Sequence, residues 1–212
     1  MNLQVKKNLI SVLAFVGFTW LVYLINLPLL INLPLLVTAY NLNQFGLEPR
    51  TLHGLVGIFT MPFLHDGFNH LIGNTVPLVV LLSMLAFTRP NPKRIIICLT
   101  VMSGVMLWVL GRDKIHVGAS GLIYALAVYL MAAGFYERKI ASAITAILVV
   151  VLYGSLFWGL LPTAGQDVSW EGHLLGAVAG GFFAAMTTKR SNAARLQAPT
   201  IADSPTASDS TL

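Results

Sequence analysis

Four polar groups stand out in an otherwise apolar chain: a serine in Gly118-Ala119-Ser120-Gly121, a histidine at His173, and His70 with Asn74, preceded by His65. A serine hydroxyl becomes a nucleophile when an adjacent base takes its proton, and imidazole, titrating near neutrality, suits that task. Hydrolysis also needs donors for the developing oxyanion, each commonly worth about 3–4 kcal/mol. His70 and Asn74 are four residues apart and so share a helix face. Their ring and amide can donate alongside the Ser120 backbone N–H. Tyr124 lies one turn beyond Ser120, where its ring can stack on an imidazole. Each group also has a plainer reading. Ser120 can be a helix N-cap, Tyr124 an ordinary packing residue, and His65, His70 and Asn74 a polar structural cluster. His65, His70 and His173 can also supply three zinc ligands. No Asp or Glu within the apolar runs can orient His173, and Asp167 and Glu171 both precede its helix, so the unit expected is a dyad without metal or other cofactor.

The elements that must carry these groups are membrane helices. Hydrophobic residues make up 56% of the 212 residues and charged residues 10%, against roughly 25% charged in a soluble domain. A bilayer core of about 30 Å takes roughly 20 apolar residues per helix. Six runs fit, over about Asn8–Leu30, Leu71–Phe87, Ile95–Leu110, Ser120–Tyr136, Ile140–Leu161 and His173–Thr188. The fold expected is an all-α integral membrane bundle of six transmembrane helices, with residues 1–7 before it and a disordered tail over 189–212. Of the 13 Lys and Arg, ten fall on the side of the N-terminus and three (Arg50, Arg112 and Lys114) on the other, which puts both termini in the cytoplasm by the positive-inside rule. Trp108, Trp158 and Trp170 then lie near outer ends of spans, where indole rings favour the interface. Lys6-Lys7, the first apolar run and Val37-Thr38-Ala39 also loosely resemble a signal peptide, although the run is longer than an h-region. Pro28 and Pro34 mark the end of the first helix and a bent exit. Residues 32–69 form a long apolar loop of the functional or partly embedded kind.

Other classes fit less well. Cys98 has no partner for an intrachain disulfide. The net charge of +5 comes from short clusters between apolar runs, not from a basic stripe with interleaved aromatics, so nucleic acid is not an expected partner. A transport path would carry polar groups through to the cytoplasmic side, yet residues 126–131 and 179–185 are almost wholly apolar. Leu122 replaces the last glycine of G-x-S-x-G, against an α/β-hydrolase.

By this topology His70, Ser120 and His173 begin the second, fourth and sixth spans at one depth. Gly172, Gly176 and Gly180 recur every four residues, the spacing that lets membrane helices touch, and Gly118 and Gly121 flank Ser120. Close contact of the fourth and sixth spans would bring His173 to Ser120.

At these residues the sequence resembles the rhomboid family of intramembrane serine proteases. The matching elements are His65, His70-x-x-x-Asn74, Gly118-Ala119-Ser120-Gly121 and His173-x-x-Gly176-x-x-x-Gly180, in the family's order, across about Asn8–Thr188. The resemblance implies a cavity open to the outer face, in which Ser120 is the nucleophile, His173 the base, His70 and Asn74 the oxyanion site and Tyr124 the ring stacked on the base. It implies transmembrane protein substrates cut near their outer membrane boundary, and a lateral gate at the fifth span near Phe157 and Trp158. Inactive members lack the serine or the histidine, and this chain keeps both. Many members carry a Trp-Arg pair in the first outer loop; here Pro49-Arg50 stands without a loop tryptophan. The short single-domain form points to a prokaryotic cytoplasmic membrane. Oligomeric state is not legible.

Overall fold

The computed structural model describes residues 3–30, 41–137, 139–162 and 169–196. Seven α-helices follow in order: α1 Leu3–Leu30, α2 Gly54–Thr60, α3 Phe68–Thr88, α4 Pro92–Leu110, α5 Ser120–Glu137, α6 Ile140–Tyr153 and α7 Trp170–Leu196. Among the described residues no β-strand forms, and Leu47 pairs with His116 in a single isolated bridge. The fold is that of a helical membrane protein. Five helical stretches are long and apolar enough to cross a bilayer: α1, α3, α4, α5, and α6 with its short 3-10 continuation to Leu160. The sixth expected span, α7, is 27 residues long, but its small residues and cationic end keep it outside that apolar set. It belongs to the bundle through its packing on α5 and α4.

α5 is apolar on nearly every side, and Leu122, Ile123, Ala125, Leu126 and Leu130 are all buried. A helix without a polar face must be surrounded, and α3, α4, α6 and α7 surround it. Its contact with α7 is backbone on backbone. A Cβ on Gly176 would collide with the Gly121 carbonyl, and one on Gly180 with the Ala125 carbonyl, so only small residues permit the approach. The outer helices turn large apolar side chains outward, among them Ile147, Val151, Phe87 and Ile97. That is the reverse of a soluble protein, and lipid is the solvent that suits it.

Where the sequence leads to a loop, the chain builds a layer. Leu42–Phe45 is a 3-10 turn, and α2 runs into a second at Met61–Phe63. Leu47, Ile58 and Met61 pack with Leu107 of α4. Arg50 donates to the Gly111 carbonyl at 2.8 Å and pairs with Asp113, while Trp108 of α4 donates to the Thr51 carbonyl at 2.8 Å. The tryptophan absent from the loop thus reaches it from the neighbouring helix. Leu52, Val56 and Phe59 face outward, an apolar surface that fits the membrane interface.

Several boundaries differ from the sequence reading, and α3, α4 and α7 begin earlier than expected, at Phe68, Pro92 and Trp170. α1 begins at Leu3 rather than Asn8 and continues past Pro28 to Leu30. α6 stops at Tyr153 and tightens into a 3-10 helix over Gly154–Leu160. α7 continues to Leu196, beyond the expected start of the tail at 189. Pro34, residues 37–39, Asp167 and residues 197–212 lie outside the described residues.

Candidate active site

Ser120 opens α5, and the plainer reading of it does not hold. The Ile123 N–H bonds the Ala119 carbonyl at 3.0 Å, so Ala119 occupies the cap position, and among the described residues the Ser120 hydroxyl has no hydrogen-bond partner. Ser120 and His173 line one cavity of about 530 Å³ with His70, Asn69, His116 and Ser169.

His173 sits on the first turns of α7 and is held from two sides. Its ring stacks on Tyr124, with centroids 4.2 Å apart and planes 10° from parallel. Its Nδ1 lies 2.9 Å from the Gly159 carbonyl. A carbonyl only accepts, so Nδ1 carries the hydrogen, and in the neutral ring Nε2 holds the free lone pair. Tyr124 in turn donates its hydroxyl to the Leu156 carbonyl at 2.7 Å. Both anchors come from the 3-10 stretch after α6. Within that stretch Gly159 must be glycine, since a side chain there would run into the Tyr124 hydroxyl. Phe157 and Trp158 of the same stretch project outward.

His70 and Asn74 rise from the first turns of α3 and meet the chain just before Ser120. Gly118 has φ +110°, and a Cβ there would lie 2.5 Å from His70 Nε2 and 3.3 Å from Asn74 Nδ2. Only glycine gives both the conformation and the room. The Gly118 N–H bonds the Met61 carbonyl at 3.0 Å, which ties the turn to the layer beneath α2. Asn74 Nδ2 donates to His65 Nε2 at 3.0 Å. His65 is 1% exposed, and burial together with the neighbouring His70 pushes its pKa down to about 4. It remains a neutral acceptor that orients the amide. Among the described residues no three His, Cys, Asp or Glu side chains gather as metal ligands would.

Among the residues of the site that escape the sequence reading are His116 and Ser169. His116 is 2% exposed. Its Nε2 donates to the Arg112 carbonyl at 3.1 Å, and its Nδ1 accepts from the Ser169 hydroxyl at 2.8 Å. Burial lowers its pKa, in keeping with a neutral ring. The Ser169 oxygen also accepts from the Gly172 N–H at 3.3 Å, which makes Ser169 the N-cap of α7. The turn that delivers Ser120 is therefore bonded to the cap of the helix that delivers His173. Ser169 followed by Trp170-Glu171 ahead of an apolar run is a readable cap signal; nothing local marks His116. Glu171, on the first turn of α7, takes a two-pronged pair from Arg112, with both N–O distances 2.9 Å. The carboxylate nearest His173 in sequence is thereby committed to the loop after α4.

A serine and a tethered histidine share one cavity, with amide and imidazole donors beside them, at one end of an apolar helical bundle. Comparison with known proteins points the same way. Two mycobacterial proteins align over most of the chain: uncharacterized protein Rv1337 of Mycobacterium tuberculosis, 33% identical over 181 residues covering 80% of this chain and 71% of that one, and uncharacterized protein ML1171 of Mycobacterium leprae, 29% identical over 180 residues covering 81% and 68%. The family model described as the Rhomboid domain matches residues 52–190, the stretch that holds every residue of the cavity, and the chain belongs to the rhomboid family.

Proposed function

We propose that the protein is an intramembrane serine endopeptidase that cuts transmembrane proteins near the outer membrane boundary with a Ser120–His173 dyad. The observation that carries this reading is the tethering of His173. The Gly159 carbonyl holds the Nδ1 hydrogen, Tyr124 fixes the ring plane, and the nitrogen left free is the one a general base uses. A carboxylate usually orients the histidine of such a pair; here a backbone carbonyl takes that place.

The chemistry follows from the geometry. Nε2 of His173 takes the Ser120 proton as Oγ attacks the scissile carbonyl. The oxyanion that forms accepts from the Ser120 N–H, the Asn74 amide and the His70 ring. The tetrahedral intermediate collapses, the C–N bond breaks, and His173 passes its proton to the departing amine. Water then attacks the acyl-serine, giving a proton to His173, and His173 returns it to Oγ as the ester bond breaks, which frees the new carboxylate and restores Ser120 and the neutral base. The cation distribution in the sequence supports a cavity on the outer side and both termini on the cytoplasmic side of a prokaryotic membrane.

The test is cleavage of a single-span model substrate by purified protein in lipid. Wild-type protein gives two fragments and Ser120→Ala gives none, with its melting temperature unchanged. Cleavage by Ser120→Ala at the wild-type rate would rule the mechanism out.

A further inference from the structure

The end of the bundle away from the catalytic cavity has a cleft of its own, between the first turns of α1 and α4 and the last of α3. Its deeper part, about 320 Å³, is lined by apolar side chains including Val12, Phe15, Leu82 and Ile96. Its mouth is a second space of about 340 Å³ lined by Lys7, Lys93 and Arg94 with Gln4 and Asn91. Asn8, Pro92 and Lys93 line both, so the two are one continuous cleft, apolar within and cationic at its opening. Asn8 is buried and spans the junction, accepting from Gln4 at 3.0 Å and donating to the Ala86 carbonyl at 3.4 Å.

The cations at this mouth are uncommitted. Arg89, close by in sequence, pairs with Glu137 and lies over the Tyr129 ring. Among the described residues, by contrast, Lys6, Lys7, Lys93 and Arg94 have no carboxylate partner. Positive charge at the end of a span suffices to orient a helix, but that role needs no cleft. Here two helices place cations around a single opening that leads to a hydrocarbon-lined interior.

We propose that this cleft is a binding site for one anionic phospholipid, its phosphate held by Lys7, Lys93 and Arg94 and an acyl chain lying between α1 and α4. The charge selects the headgroup and the apolar depth selects an amphiphile over a free anion. A basic pocket between membrane helices is the arrangement that recognises such headgroups. The site is independent of the proteolytic reading and stands or falls without it.

Native mass spectrometry of the full chain in detergent tests this, with phosphatidylglycerol, phosphatidylcholine and soluble glycerol phosphate as probes. Wild-type protein retains one phosphatidylglycerol in preference to phosphatidylcholine and does not retain glycerol phosphate. Lys93→Gln with Arg94→Gln removes two surface charges and weakens phosphatidylglycerol roughly tenfold or more, leaving phosphatidylcholine unchanged. Ala14→Trp, which fills the apolar part while leaving the cations in place, weakens both lipids. Equal retention of the two lipids by wild type, or full phosphatidylglycerol preference in the double variant, would overturn the proposal. Retention of glycerol phosphate as strong as that of the lipid would assign the mouth to a soluble anion and overturn it too.

Discussion

Gly118 shows how much of the site rests on an atom that is absent. Its backbone adopts φ +110°, and His70 and Asn74 occupy the place of its missing side chain. Gly118→Ala pushes the donors away from the serine while leaving the helices intact. The expected loss in kcat is about 10²–10³-fold, as for removal of one oxyanion donor, together with a fall in melting temperature from the strained backbone at φ +110°, worth about 1–3 kcal/mol; steady-state cleavage at a temperature where the variant is folded and thermal unfolding together check it. His65 supplies a pH-dependent counterpart. Its folded pKa of about 4 lies below the ordinary 6.5, so it contributes stability that is present above pH 6.5 and lost as pH falls toward 4, reaching at most about 3 kcal/mol. The melting temperature should drop between pH 7 and pH 4.5, and His65→Gln, which keeps a polar side chain but does not titrate, should flatten part of that drop. An equal drop in both proteins would remove His65 as its source. The types and spacing of Ser120, His173, His70 and Asn74 were legible because ionisable and polar groups are costly at membrane depth. His116 was not, because its importance lies in its bond to Ser169, 53 positions away in the chain.

At the level of elements, the serine and the histidine belong to different helices, so the site is as good as the contact between α5 and α7. The glycine spacing in α7 made that contact readable: Gly176 and Gly180 meet carbonyls of α5. The change from α6 to a 3-10 helix at Gly154 was less readable, since Gly-Ser-Leu-Phe-Trp continues an apolar run whose period fits either geometry. Yet that stretch presents the carbonyls that hold His173 and Tyr124. The polar cap of α7 offers a direct handle on the contact. Ser169→Ala removes an N-cap worth typically about 1 kcal/mol and leaves His116 without its hydroxyl partner. We expect a modest fall in melting temperature and a larger fall in kcat than in surface variants of equal stability; Ser169→Thr, which keeps the hydroxyl, should recover most of both. Activity falling only in step with stability would reduce Ser169 to a structural cap.

Across the whole molecule, the two ends of the bundle divide the polar residues between them. One end holds the cavity shared by Ser120 and His173, together with the layer around α2 and the Arg112–Glu171 pair. The other holds the Arg89–Glu137 pair, to which Ser142 donates at 2.7 Å, and the cationic mouth between α1 and α4. Apolar helix fills the space between. This polarity is why a chain so poor in charge still announced its organisation, whereas the inward fold of the first loop came from packing of Leu47, Ile58 and Met61 on α4 that no local pattern encodes. The proposed function requires above all that Ser120 be a nucleophile made reactive by His173. Labelling with a fluorophosphonate, located by peptide mass analysis, addresses it most directly. One adduct is expected, on Ser120, lost in Ser120→Ala and nearly lost in His173→Ala. An adduct on another residue, or labelling of His173→Ala as fast as wild type, would contradict it.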